Sequence, residues 1–236
     1  MRVVSFGRIF CLATVSSVLL AAASQAKDLV VVEARGVALT AGQLIDDSQP
    51  LVLQDGQRVT LIAGNGATLK LRGPYNQPPA SAATSDAGLA DALKTLIVQK
   101  DTRTSDVGVV RGAQGAKLPE PWLLDVTRAG SLCVRGDGRV VVWRSPAGAA
   151  ATFTISPLDR SWKMTMSWPA GVDRLALPEI FPLHVRSTYL VELDDAKNAV
   201  TINSIPKAVE SNPMKAAWMI EKGCLAQAAA LISDLH

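Results

Sequence analysis

The sequence predicts a mainly β protein: a small β domain, then a β-sandwich or barrel-like domain that ends in a C-terminal helical hairpin. Three observations predict it. Short β-rich runs with alternating apolar residues recur along the chain, separated by Gly, Asn and Asp turns. The aromatic content changes sharply near residue 120, since all five tryptophans lie at or beyond Trp122. The hydrophobic period switches from two to about 3.6 in the last 26 residues.

In chain order, residues 1–26 read as a signal peptide. Arg2 and Arg8 precede an apolar run, Ile9 to Ala23, that is short for a bilayer span. Ser24 to Ala26 places small residues at the cleavage positions, so cleavage is expected after Ala26. Cys11 lacks the small residues ahead of it that a lipoprotein acylation site needs. Removal of Arg2 and Arg8 takes the formal charge from +3 to about +1. There is no basic cluster with interleaved aromatics, so nucleic acid is not an expected partner. No second apolar stretch approaches membrane-spanning length, so no stable anchor is expected after cleavage. The expected location is the periplasm, with secretion as the alternative.

Residues 27–74 read as the first β domain. An apolar run, "DLVVV", leads to turns at Gly36 and Gly42, and three further β-rich runs follow. Asp55-Gly56 and Asn65-Gly66 separate these runs, and both dipeptides suit hairpins because they tolerate positive φ. "GNGATL" has neither the third glycine nor the lysine of a phosphate loop and lies between strands, which favours the hairpin reading. Residues 75–120 read as a linker, loop-like at "PYNQPPASAATS", with one helix at about 85–100 started by Ser85.

Residues 121–236 read as the second domain. "SWKMTMSW" is its clearest strand: Trp162, Met164, Met166 and Trp168 form one face, and Lys163, Thr165 and Ser167 the other. That apolar face is either core or a ligand and partner surface. "ATFTIS" and "STYLVEL" alternate in the same way. "SLCVRGDGRVVVWRS", residues 131–145, reads as a hairpin turning at Gly136 to Gly138, so the Arg135-Gly136-Asp137 triplet belongs to a tight turn. With Asp137-Gly138 as the turn, Cys133 faces Val142 and Leu132 faces Trp143. Toward the C-terminus, Asn212 as N-cap and Pro213 after it start one helix. Gly223 stops it, and a second helix carries Leu225, Ala228, Ala229 and Ile232 on one stripe.

Cys133 and Cys224 are the only cysteines after cleavage and are expected to form one disulfide, since export leads to an oxidising compartment. Closing a loop of that length is worth at most roughly 4–5 kcal/mol in the chain-entropy model.

Chemistry is sparse. The two histidines are His184, among apolar residues, and the terminal His236. No serine-hydrolase, zinc-protease, paired-cysteine or phosphate-loop motif occurs, so no catalytic residue, metal site or cofactor is expected. Adjacent acids at Asp46-Asp47 and Asp194-Asp195 keep open a glycan hydrolase built on paired carboxylates, although both pairs read as solvated turn acids. "AKNA" after Asp195 reads as a hairpin turn.

"GVALTAGQLI", "LVLQDGQRVTLIAGNGATLKL" and the closing "RGP", within about residues 36–74, resemble the FecR-like domains of bacterial envelope proteins. That resemblance implies a β-rich, non-catalytic periplasmic domain tied to envelope sensing or signal transduction. Members of the family that control sigma factors carry a cytoplasmic segment and a membrane span before this domain, where this chain shows a signal peptide. The expected role is therefore to bind a protein partner or ligand in an envelope assembly. An envelope glycan hydrolase and a structural envelope protein are the alternatives.

Overall fold

The structure is a computed structural model that describes residues 28–82, 95, 97–98, 117–136, 138–179 and 186–234. The signal peptide, Asp137, His184 and nearly all of the expected 85–100 helix lie outside the described residues; Thr95, Ile97 and Val98 of that stretch are helical.

The chain is mainly β, with a helical hairpin at its C-terminal end. The first unit is an antiparallel sheet in the order β2-β1-β4-β5, formed by β1 (Asp28–Arg35), β2 (Leu44–Asp46), β4 (Arg58–Ile62) and β5 (Thr68–Arg72). Leu29 to Val32 are all buried because both faces of β1 are covered. Leu29 and Val31 face a core with Leu53, Leu61 and Leu71, whereas Val30 and Val32 face the C-terminal helices. Asn65-Gly66 makes the expected hairpin: Gly66 takes φ +87°, and its N–H donates to the Ala63 carbonyl at 2.8 Å.

Asp55-Gly56 does not make a hairpin. It forms a turn closed by Gln57 N–H to the Gln54 carbonyl, with positive φ at Gly56 but not at Asp55. The strands on its two sides do not pair with each other. β3 (Leu51–Leu53) leaves the sheet and pairs instead with β6 (Tyr75–Gln77). The stretch expected to be loop from Pro74 onward thus supplies a strand to the first unit, then a 3-10 turn at Pro79–Ala82.

The second unit is sandwich-like. Its five-stranded sheet runs β11-β10-β13-β14-β8, from β8 (Gly130–Arg135), β10 (Ala151–Pro157), β11 (Met164–Trp168), β13 (Ser187–Leu193) and β14 (Ala196–Ile205). A three-stranded sheet, β12-β9-β7, comes from β7 (Leu123–Asp125), β9 (Val141–Trp143) and β12 (Arg174–Ala176). The two share a core in which Leu124, Val126 and Val142 meet Phe153, Ile155, Trp168, Tyr189 and Val191.

The 131–145 hairpin is absent. β8 runs parallel to β14, with Leu132 opposite Ile202 and Cys133 opposite Asn203. β9 runs parallel to β7 in the other sheet, with Val142 opposite Leu124. The chain crosses between layers here, so Cys133 does not face Val142 and Leu132 does not face Trp143. Both strands find non-local parallel partners, which a local reading of turn residues does not reveal. The β13–β14 hairpin turns at Asp194-Asp195 themselves, with Leu193 opposite Ala196, so "AKNA" is strand rather than turn.

The helices are α1 (Asn212–Glu221) and α2 (Leu225–Ser233). Ser211 rather than Asn212 is the N-cap, its Oγ accepting from Met214 N–H at 3.2 Å. Gly223 ends α1 as expected, at φ +81°. Its N–H donates to the Ile220 carbonyl and that of Cys224 to the Met219 carbonyl, a Schellman motif. The helical pair packs against all three larger sheets. One side shares a core with Val30, Val32, Ile62, Cys133 and Ile205, and Ala230 meets Leu123 and Trp143 on another.

Candidate functional site

The Cys133–Cys224 disulfide forms, joining residues 91 apart in sequence with Cα atoms 5.8 Å apart. Cys224 is the residue just after the Gly223 turn, so the motif that stops α1 also fixes where the bond leaves the helices. Both cysteines are essentially inaccessible, at 0% and 1% exposure.

Gln227 completes this junction. β8 is an edge strand, and an edge leaves backbone groups unpaired. Gln227, one turn into α2, takes up both groups of Cys133. Its Oε1 accepts from Cys133 N–H at 2.6 Å, and its Nε2 donates to the Cys133 carbonyl at 2.8 Å. The second Nε2 contact is the Pro121 carbonyl at 3.0 Å. A helical side chain thus stands in for the missing strand at the position where the disulfide leaves the sheet. Sequence reasoning missed it; the signal was a lone amide on an otherwise apolar helical stripe.

The tryptophan–methionine face is divided. Trp168 is fully buried, set edge-on to Phe153 at 5.8 Å between ring centres, with Nε1 donating to the Val172 carbonyl at 2.9 Å. The Arg144 guanidinium lies 4.9 Å from its ring centre, and Arg144 also donates to the Pro169 and Val172 carbonyls. Trp162, Met164 and Met166 are half-buried on the same core, along the free edge of the five-stranded sheet. Trp162 packs 5.9 Å from Tyr189.

The acids serve their own turns. Asp46 accepts from the backbone and hydroxyl of Ser48, and those bonds hold its carboxyl below the usual range. Asp159 is lowered in the same way by Ser161. Asp194 accepts from Thr152 N–H at 2.8 Å, bracing the β13–β14 turn against β10. Among the described residues no group of three or more His, Cys, Asp or Glu side chains is placed to hold a metal ion.

A recess of about 190 Å³ opens where the first unit, the five-stranded sheet and α1 meet. It is lined by Ala41, Arg186, Asn203, Ser204, Pro206, Trp218 and Lys222. The Lys222 ammonium donates to the Val32 carbonyl at 2.9 Å and lies 4.9 Å from the centre of the Trp218 ring. The closeness of Gly42 to Pro206 fixes one wall; a Cβ at Gly42 would stand 2.9 Å from Pro206 Cβ. No linear motif announces this site, because its residues come from four separate segments.

Neither a family model nor a curated protein matches the chain. No described helix is long and apolar enough to cross a membrane.

Proposed function

We propose that this chain is an exported, non-catalytic protein of the bacterial periplasm, cleaved after Ala26, that binds a partner or ligand within an envelope sensing or signalling assembly. The observation that carries the reading is the buried Cys133–Cys224 bond, which ties the edge of the second unit's sheet to the helices that pack on the first. Such a bond persists in oxidising compartments and is rare in the cytosol. The amino-terminal charge and apolar pattern supports the same compartment. The FecR-like pattern of residues 36–74 supports the sensing role. The turn acids support a non-catalytic role, since Asp46 and Asp194 are each engaged by backbone N–H groups.

Cell fractionation with N-terminal sequencing and affinity capture tests this. The expected result is a chain beginning at Lys27, in the periplasmic fraction, recovered with a membrane sensor or signal transducer. A cytosolic, uncleaved chain with reduced cysteines, or capture without any signalling component, overturns it.

A further inference from the structure

One face of the first sheet carries a row of like charges. Strand register sets Arg35 of β1 opposite Arg58 of β4, and Arg58 opposite Arg72 of β5. Residues directly opposite across a ladder share a face, so three guanidinium groups start from adjacent strands on one side, and all three residues are exposed. By the alternation along β4 this is also the face of Ile62, which packs against the helices. Glu33, Thr60 and Lys70 form the row between. Like charges directly opposite each other destabilise a sheet, and the local carboxylates offset only part of this. Glu33 pairs with Arg35 at 2.7 Å, and Glu221 with Lys70 at 3.1 Å. Arg35 holds the Glu33 carboxyl below its ordinary value chiefly through that hydrogen bond, with smaller contributions from the charges of Lys222 and Arg58. Asp55 serves its own turn, accepting from Gly56 N–H at 3.0 Å. Among the described residues no hydrogen bond or ion pair engages Arg58 or Arg72.

We propose that this row docks an acidic helical segment of a partner protein, with carboxylates one turn apart seated on Arg58 and Arg72. A guanidinium fork takes a planar carboxylate through two parallel hydrogen bonds. Opposed residues on antiparallel strands stand about 4.5–5.5 Å apart at Cα, and side chains one helical turn apart about 5–6 Å at Cβ, so neighbouring forks and neighbouring carboxylates fall in step. A lipid surface fits less well. None of the exposed large apolar side chains, Leu44, Val52, Val98, Leu158 and Val172, lies on either row, so the rows bring no apolar group to enter the acyl boundary. The inference rests on the reading of the chain as a binding protein and names the chemistry of its partner.

The test measures fluorescence anisotropy of a labelled helical peptide bearing glutamates one turn apart, titrated with the mature oxidised protein at low and at physiological salt. Its glutamine counterpart and phosphatidylglycerol vesicles are the comparison probes. Saturable binding of the glutamate peptide, weakened by salt, is expected. The double variant Arg58→Gln with Arg72→Gln is expected to weaken it about tenfold or more. Arg58→Lys with Arg72→Lys retains part of the binding, and Lys163→Gln beside β11 changes nothing. Arg72→Glu sets a carboxylate opposite Arg58, so it is expected to raise the Tm at low salt while abolishing binding. A merely structural pair of arginines would instead lose stability. No saturable binding, equal binding of the glutamine peptide, vesicle binding that the double glutamine variant loses, an unchanged Kd in that folded variant, or a lowered Tm in Arg72→Glu overturns the assignment. Capture of the same signalling component by wild type and by the double glutamine variant would leave the proposed function standing while this surface fails, so the two failures are distinguishable.

Discussion

Replacing Gln227 with leucine separates the edge-capping amide from the packing around it. Leucine nearly matches the volume of glutamine and suits a helix, so the change removes hydrogen bonds without opening a large cavity. Three bonds are lost, to the N–H and carbonyl of Cys133 and to the carbonyl of Pro121. Cys133 is fully buried, so its N–H finds no water in exchange. A stranded buried donor costs about 1–3 kcal/mol, and the under-satisfied carbonyls add to it. Leucine returns part of this through apolar burial, which leaves a net loss of about 2–4 kcal/mol. For a domain with a stability of about 5–15 kcal/mol that is a large fraction. Equilibrium urea unfolding of the oxidised protein, followed by tryptophan fluorescence and circular dichroism, measures it. Ala229→Gln, on the exposed side of the same helix, is the control and is expected to stay within about 0.5 kcal/mol. A loss for Gln227→Leu below about 1 kcal/mol with an unchanged slope would refute the view that this amide closes the sheet edge.

Four further outcomes follow from the same geometry. Removing the disulfide by Cys133→Ala with Cys224→Ala costs about 2–5 kcal/mol, and the wild-type bond resists dithiothreitol until the protein unfolds, as mass measurement after native and denaturing reduction will tell. Trp168→Ala loses about 3–5 kcal/mol in urea melts, whereas Met166→Ala, half-buried at the sheet edge, loses clearly less. Gly66→Ala forces a Cβ to 2.7 Å from the Pro213 carbonyl at φ +87°, so thermal melts should show a loss of about 1–3 kcal/mol. Asp46 and Asp159 have folded values below their unfolded ones, so their stabilisation is full above the ordinary carboxylate range and is lost as pH falls through the lowered values. Asp46→Asn should therefore flatten part of the acid limb in a pH series of melts.

Period-two patterns were legible where alternate residues meet the core: Phe153 and Ile155 point to it as their spacing implies, and so does Trp168, although Thr154 and Ser156 on the other face of β10 are buried too. Gly223 and Asn65-Gly66 were legible because positive φ is a local requirement. Pairing partners were not. "SLCV" and "RVVVWR" both contain strands, yet their parallel partners lie in β14 and β7, and no turn residue encodes a parallel neighbour from another segment. Asp55-Gly56 misled for the same reason, since the dipeptide allows a turn without choosing the sheet that receives the next strand. The N-cap moved by one residue because Ser211 Oγ also donates to the Gly64 carbonyl at 2.8 Å, a tertiary contact that favours it over Asn212. The recess was invisible because Arg186, Asn203, Trp218 and Lys222 acquire meaning only once β13, β14 and α1 converge.

The central claim is that this is an envelope protein that works by binding. The most direct measurement is quantitative affinity capture of the tagged mature protein from its own periplasm after mild cross-linking. A membrane sensor or signal transducer recovered in near-stoichiometric amount, with Cys133 and Cys224 oxidised, is the predicted result. Reduced cysteines and no such partner, together with release of sugar fragments from purified envelope glycan, would contradict it.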